Sequence, residues 1–169
     1  MAVTPWTIRP IEEGDAPEIL LLARSLDKWF NAEGLTKMSH DLRRHEGFVA
    51  VRGARLVGFV TWEPLPSRRA NLSWMGVAEA EQGRGIGKGL LEALVLAVRR
   101  EGVTAVEVST VADAVDYEPY ERTRAFYRAM GFVDERVDPR FWGTGDDRYD
   151  RLVLRLDVAP GPDAPDPTP

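Results

Sequence analysis

Cysteine is absent from this 169-residue sequence, and histidine occurs only twice, at His40 and His45. The lack of cysteine excludes disulfide scaffolds, thiolate zinc sites and thiol nucleophiles. Two histidines are too few for a three-histidine zinc site. His40 and His45 lie five residues apart in a polar stretch, so we expect both at the surface. We expect no metal site.

Long apolar runs and an excess of basic residues are also missing. The longest uninterrupted apolar stretch runs from Ala93 to Val98, whereas a membrane-spanning helix needs about 18–20 residues. The segment Met1–Trp6 lacks a basic part followed by an apolar run, so no secretory signal is visible. Lys and Arg number 22 against 27 Asp and Glu, a net charge of −5, which disfavours a dedicated nucleic-acid-binding domain. We expect a cytoplasmic domain without membrane or nucleic-acid partners.

The length and composition predict one folded domain followed by a short tail. The chain length corresponds to about one domain, and 44% hydrophobic with 29% charged residues is ordinary for a soluble globular protein. Proline occupies five of the eleven positions in 159–169. Because proline fixes φ and lacks an amide donor, this segment cannot join a helix or a central strand. The sequence predicts a single domain at 1–158 and a disordered, proline-rich tail at 159–169.

Strand and helix signals alternate along the domain. Prolines at positions 64 and 66 are expected to end the third strand, and residues 29–45 read as helical in places but interrupted by Gly34. The order predicts a mixed α/β fold, with antiparallel strands first and a parallel strand–helix–strand unit after them. Strands are predicted at 7–11, 48–52, 56–62, 71–77, 105–109, 132–137 and 149–156, and helices at 15–28, 86–100 and 121–130.

Four glycines alternate with other residues between strand 71–77 and helix 86–100, in the run Gln82-Gly83-Arg84-Gly85-Ile86-Gly87-Lys88-Gly89. Glycine lets the main chain approach a ligand closely, and a helix N-terminus offers free amides and the positive end of its dipole. Together with Arg84 and Lys88, these features indicate a phosphate site. A tight strand-to-helix connection without a ligand is the alternative. The spacing fits neither the nucleotide-binding P-loop nor the dinucleotide fingerprint.

The spacing that does fit is Gln/Arg-x-x-Gly-x-Gly/Ala, here Gln82-x-x-Gly85-x-Gly87, and a second segment follows at Phe126-Tyr127-Arg128-Ala129-Met130-Gly131-Phe132. With these two segments the chain resembles the GCN5-related N-acetyltransferase (GNAT) superfamily, over roughly residues 7–156. The resemblance implies a central, mostly antiparallel sheet with a splayed parallel strand pair, flanked by helices. It also implies that the glycine-rich turn binds the pyrophosphate of acetyl-CoA.

The resemblance implies an N-acetyltransferase that moves an acetyl group from acetyl-CoA to a primary amine by direct attack in a ternary complex. The acceptor would be a small-molecule or peptide amine, and strands near the C-terminus could pair in a homodimer. A non-catalytic sensor that binds coenzyme A or acyl-CoA with the same fold is the alternative. An unrelated phosphate-binding α/β protein is a third interpretation. A hydroxyl retained at Tyr127 favours the enzyme.

Two residues are the candidates for acid–base chemistry. Tyr127 matches the general acid of the family, which would donate to the departing sulfur. Glu63 is the first choice for a general base, ahead of Glu107, Asp116 and Glu118. The residues expected to contact coenzyme A are Met75, Gly76, Val77, Gln82, Gly83, Arg84, Gly85, Ile86, Gly87, Lys88, Tyr120 and Arg124.

Departures from the family segment lie just before Tyr127. Tyr120 and Thr123 stand where the family commonly has Asn and Ala, although Tyr120, Arg124 and Tyr127 share one helical stripe. The loop 111–119 is longer than a minimal connection and is a candidate substrate lid. Candidates for lining an acceptor pocket are Trp29, Trp62 and Trp74.

Overall fold

The computed structural model describes residues 5–165, so what was predicted for residues 1–4 and 166–169 lies outside the described residues. Within this range, seven strands form one sheet in the order β1-β2-β3-β4-β5-β7-β6, with β4 and β5 parallel and every other neighbouring pair antiparallel. The strands are β1 (Trp6–Pro10), β2 (Glu46–Arg52), β3 (Arg55–Leu65), β4 (Arg69–Val77), β5 (Ala105–Val111), β6 (Val133–Thr144) and β7 (Asp147–Asp157). The helices are α1 (Ala16–Ser25), α2 (Ala32–Asp41), α3 (Ile86–Arg100) and α4 (Glu118–Ala129). The predicted mixed α/β architecture is confirmed.

Helix α3 packs on one face of the sheet because its apolar residues recur every three or four positions. Leu90, Leu94 and Val98 are fully buried and belong to a core cluster that includes β3 residues and extends to α4. The helix ends at Arg100, and Gly102, two residues further on, has a φ of +79° that suits glycine. Because α3 joins two parallel strands, it forms the crossover that such a pair requires.

Helices α1 and α2 cover the opposite face through a second, smaller core cluster built around Ile19, Met38 and Phe59. Helix α2 is a complete ten-residue helix where the sequence indicated only interrupted helix. Its N-cap, Asn31, accepts a hydrogen bond from Gly34 N at 2.8 Å. Gly34 therefore lies in the capped first turn, where it does not break the helix.

Strands β4 and β5 separate soon after they pair. Their register covers only Arg69–Leu72 against Ala105–Val108, although β4 continues to Val77 and β5 to Val111. In the β3–β4 ladder, Leu72 and Trp74 face neighbouring residues of β3, which leaves Ser73 as an extra residue. Such a bulge bends its strand, and a V-shaped gap opens beyond it.

Three strands run further than the sequence predicted. Strand β3 continues through Pro64 to Leu65 because β2 begins opposite Trp62, so the proline has no neighbour to bond on that side. The β6–β7 hairpin extends to Thr144 and Asp147, well beyond the predicted strand ends at 137 and 149. Most of β6 is exposed on both faces, so its sequence lacks the apolar–polar alternation that marks a half-buried strand.

The division of the chain at residue 158 stays a prediction. Residues 159–165, the described part of the tail, form no helix or strand. They lie against the end of α3, where Arg99 Nε donates to Ala159 O at 2.8 Å and Gly161 N donates to Arg99 O at 3.0 Å.

The packing of α3 predicts a contrast between two leucines of the same helix. We expect Leu94→Ala, which empties a fully buried site, to lower the free energy of unfolding by about 2–5 kcal/mol. Leu96→Ala alters a side chain that is 51% exposed and should change it by less than about 0.5 kcal/mol. Urea denaturation of the two variants measures this difference, and equal values would contradict the assignment of the buried face.

Candidate active site

A cleft of about 1150 Å³ occupies the gap between β4 and β5. Its lining includes the glycine-rich turn and α4 on the α3 side of the sheet, and α2 with the α1–α2 connection on the other side. Because these elements lie on opposite faces, the cleft passes through the sheet at the point where the strands diverge. Two ligands could therefore enter from opposite faces and meet between the strands.

Two backbone amides of β4 face this gap. Ala78 N donates to Val57 O of β3 at 2.9 Å, and successive residues of a strand point their amides to alternate sides. The amide of Gly76 therefore also points toward β3, whereas the amides of Met75 and Val77 point away from β3, toward the gap. Gly76 was expected to bind coenzyme A, but its missing side chain serves packing, since an added Cβ would lie 2.9 Å from Phe59 Cε1.

The glycine-rich turn adopts backbone angles that explain two of its glycines. Gly83 and Gly85 have φ of +76° and +83°, and a Cβ at either would meet no atom within 4 Å. Gly89 has a different cause, because its Cβ would lie 2.8 Å from the Trp6 ring. The first bond of α3 runs from Gly89 N to Gly85 O at 3.0 Å, so the amides just before it have no acceptor within the helix.

The polar side chains of the turn differ in position: one ties the turn to β4, one lines the cleft, and one lies outside it. Gln82 Nε2 donates to Val77 O at 3.1 Å and so ties the turn to β4. Lys88 lines the cleft and lies 3.9 Å from Glu92. Arg84, which was expected beside the phosphate, does not line the cleft; its Nε lies 3.8 Å from Glu81 Oε2. Ile86 and Gly87 line the cleft next to Lys88.

Tyr127 lies in the cleft wall and is 6% exposed. Phe126 and Phe132 pack against its ring edge-on, at 5.3 and 5.4 Å between centroids. Its hydroxyl donates to Met75 Sδ at 3.8 Å, and a thioether is a weak acceptor. Burial raises the pKa of Tyr127, so the hydroxyl stays protonated and available as a donor at neutral pH.

Arg124 does not reach the cleft, contrary to the prediction from the helical stripe. Its side chain is 3% exposed, its Nη1 donates to Val111 O at 2.8 Å, and its Nε lies 3.1 Å from Asp113 Oδ1. The guanidinium therefore fixes the end of β5 to α4. Tyr120, one turn earlier, does line the cleft.

Glu63 lies in the cleft wall on the α2 side, and behind it lies a histidine that was predicted to be at the surface. His45 was expected at the surface, but its side chain is only 6% exposed, and its Nε2 lies 3.1 Å from Glu63 Oε2. The prediction failed because its burial comes from strand β3 and the bulge of β4, which the polar local sequence does not report. His40 is exposed, as expected.

Of the remaining candidate residues, some line the cleft and others do not. Trp29 and Trp74 line the cleft, but Trp62 is buried in the core and stacks on Phe48 at 5.5 Å. Glu107 lines the cleft with one carboxylate oxygen 2.6 Å from Arg69. The other two candidate bases, Asp116 and Glu118, are exposed and do not line the cleft.

Residues 5–165 contain neither an arranged metal-binding cluster nor a helix suited to span a membrane. No group of three or more His, Asp or Glu side chains in this part of the chain is arranged to hold a metal ion. None of its helices has both the length and the apolar character needed to cross a membrane.

Comparison with known proteins supports the geometry. No curated protein sequence matches the chain. Solved structures with the same fold include a GNAT-family acetyltransferase from Desulfovibrio desulfuricans (TM-score 0.80, 24% identity, 92% of this chain and 100% of that one). Another is the ribosomal-protein-S18-alanine N-acetyltransferase of Escherichia coli (TM-score 0.74, 21% identity, 92% and 95%). A third is Arabidopsis thaliana NAA60, solved with a bisubstrate analogue (TM-score 0.70, 18% identity, 93% and 100%).

The sequence itself carries the assignment to a family, because at these identities the solved structures show the fold alone. Residues 43–134, just over half of the chain, match the acetyltransferase (GNAT) domain. This range contains the bulged strand β4, the glycine-rich turn and Tyr127. The chain therefore belongs to the GNAT family of acetyltransferases.

Proposed function

We propose that this protein transfers an acetyl group from acetyl-CoA to a primary amine of a small molecule or a peptide, by direct attack in a ternary complex. The observation that carries the proposal is the open gap between β4 and β5. Within it, the free amides of Met75 and Val77 lie between a glycine-rich helix N-terminus and the hydroxyl of Tyr127.

The residues present fit the diphosphate and the pantetheine arm of coenzyme A. The amides of the turn, from Gly83 to Lys88, and the positive end of the α3 dipole suit a diphosphate. The amides of Met75 and Val77 suit the amide carbonyls of the pantetheine arm, since an extended ligand can pair with a free strand edge. When bound, acetyl-CoA would supply an acetyl thioester, whose thiolate leaves without a covalent enzyme intermediate.

Two groups of the chain would assist the transfer. One of the amides of β4 that face the gap would donate to the thioester carbonyl oxygen and stabilise the negative charge that develops there. Tyr127 would donate its hydroxyl proton to the departing sulfur. Tyr127 is proposed as the proton donor because its hydroxyl has only a weak acceptor in Met75 Sδ, 3.8 Å away.

The α2 side of the cleft supports an amine as the acceptor. Carboxylates of Asp41 and Glu63 and the ring faces of Trp29 and Trp74 line this part. Carboxylates attract an ammonium group, and aromatic faces also attract cations. Glu63, which lies in the cleft wall, is proposed to take part in removing the amine proton.

Calorimetry with acetyl-CoA, combined with free-thiol release in the presence of an amine panel, tests the proposal. We expect saturable binding and thiol release that depends on the added amine. Binding without any thiol release would favour the coenzyme A-binding sensor. Failure to bind would overturn both and leave the cleft to another phosphate ligand.

The glycine-rich turn predicts a specific loss of coenzyme A affinity. Gly85→Ala forces an L-residue into φ of +83°, a strain of about 1–2 kcal/mol, and should raise the Kd for acetyl-CoA at least about tenfold by displacing the amides. Gly53→Ala is the matched control, because Gly53 has φ of +61° and equally open surroundings but lies in the β2–β3 turn. Calorimetry should show an unchanged Kd for the control, and a similar loss in both variants would refute a role for the turn.

The position of Tyr127 predicts a loss of turnover rather than of binding. Tyr127→Phe keeps the buried ring and removes only the donor, so we expect kcat to fall at least about tenfold with little change in the Kd for acetyl-CoA. Steady-state kinetics and calorimetry on the same preparation measure the two effects. Equal kcat values for wild type and variant would remove this hydroxyl from the mechanism.

A further inference from the structure

A hydrogen-bonded chain leads from the cleft to the buried ring of His45. Ser73, the bulged residue of β4, lies 2.9 Å from His45 Nδ1 through its Oγ. The other ring nitrogen, Nε2, lies 3.1 Å from Glu63 Oε2. Ser73 and Glu63 both line the cleft, whereas the imidazole between them is 6% exposed and does not line it. We call these three residues the His45 relay.

The contacts on each side determine which nitrogen of the neutral ring carries the proton. An ionised carboxylate only accepts hydrogen bonds, so Nε2 carries the hydrogen that it donates to Glu63. Nδ1 is then an acceptor, and the Ser73 hydroxyl donates to it. Thr61 Oγ1, 2.8 Å from Ser73 Oγ, completes the chain as the donor to Ser73.

We infer that the His45 relay accepts the proton that the acceptor amine must lose during acetyl transfer. The inference rests on the proposed function and names the group on which the proton comes to rest. The amine would contact Ser73, while His45 acts through Ser73 and is a positioning residue with a proton-holding role. Glu63 holds the ring by Nε2 and balances its charge once Nδ1 is protonated, an arrangement that also serves serine-dependent enzymes.

The bonds and protons balance in this scheme. The lone pair of the amine nitrogen forms a bond to the acetyl carbon, and the carbon–sulfur bond breaks. One proton passes from that nitrogen to Ser73 Oγ while the hydroxyl proton of Ser73 passes to His45 Nδ1. The leaving sulfur takes the hydroxyl proton of Tyr127. Solvent then removes the proton from His45 and restores that of Tyr127, so the products are an amide and a thiol.

Two carboxylates, from different elements of the fold, face the His45 ring. Asp41, from α2, places Oδ1 3.9 Å from Nε2, in addition to Glu63 from β3. Asp41 is itself fixed by Trp74 Nε1 at 2.8 Å and approached by exposed Arg44 at 4.0 Å. On the β4 side the ring is hydrogen-bonded to the neutral Ser73. Two carboxylate oxygens therefore lie 3.9 and 3.1 Å from Nε2.

The second oxygen of Glu63 is held as well. Asn71 Nδ2 donates to Glu63 Oε1 at 3.2 Å, so the carboxylate is fixed from β4 on one side and from His45 on the other. This orientation leaves the carboxylate on the cleft wall but aimed at the ring. A histidine that only filled space would not need a carboxylate that is itself held in position by Asn71.

His45→Gln separates the relay from a purely structural role. The glutamine amide can still donate to Glu63 and fill much of the site, but it cannot accept a proton. We expect kcat/KM for the amine to fall about 100-fold and its pH profile to differ from that of the wild-type protein, because the group that accepts the proton is gone. His40→Gln, at the only other histidine, should leave the rate and the pH profile unchanged.

Further measurements distinguish the possible failures. Ser73→Ala should lower kcat/KM at least about tenfold with an unchanged Kd for acetyl-CoA, and added imidazole should restore part of the activity of His45→Ala. If His45→Gln keeps both the wild-type rate and the pH profile, the relay is refuted while the acetyltransferase stands. If the wild-type protein transfers no acetyl group, the proposed function falls and the relay with it. Stable acetylation of Ser73 by acetyl-CoA would also overturn the relay, because the serine would then be the nucleophile.

Discussion

The separation of β4 from β5 is the constraint on which the site depends. A parallel pair normally satisfies the amides of both strands, and buried amides left without acceptors are costly. Here the extra residue at Ser73 ends the ladder after four residue pairs. The amides of Met75 and Val77 are thereby left for water or a ligand. The same bulge that opens the cleft also directs Ser73 toward His45, so the binding gap and the proposed proton path share one local cause.

Local sequence was sufficient to predict the features that depend on local backbone conformation. The glycine-rich turn and the strand–helix–strand unit follow from residues adjacent in sequence, and the fold class was confirmed by the sheet order. Tyr127 was placed in the cleft by a short motif on a single helix. In each case the residues that carry the sequence pattern belong to the same local element, or the same turn, whose structure the pattern predicts.

What the sequence could not predict depends on contacts between distant elements. His45 is buried by Glu63 and Ser73, which lie 18 and 28 residues further along the chain, and no local pattern marks that meeting. Arg124 has the spacing of a cleft residue, yet its guanidinium turns to the carbonyl of Val111 because those acceptors lie at the end of β5. The exposed β6–β7 hairpin was underestimated for the opposite reason, since it has no buried face to create a pattern.

The buried guanidinium of Arg124 has a consequence for how this protein would respond to random mutagenesis. It locks the rotation of α4 against β5 through Val111 and Asp113, and Tyr127 lies three residues further along the same helix. Without these contacts, α4 could rotate against β5 and displace the Tyr127 hydroxyl. A mutagenesis screen that measures activity would then group Arg124 with the residues that line the cleft, although its own side chain does not line it.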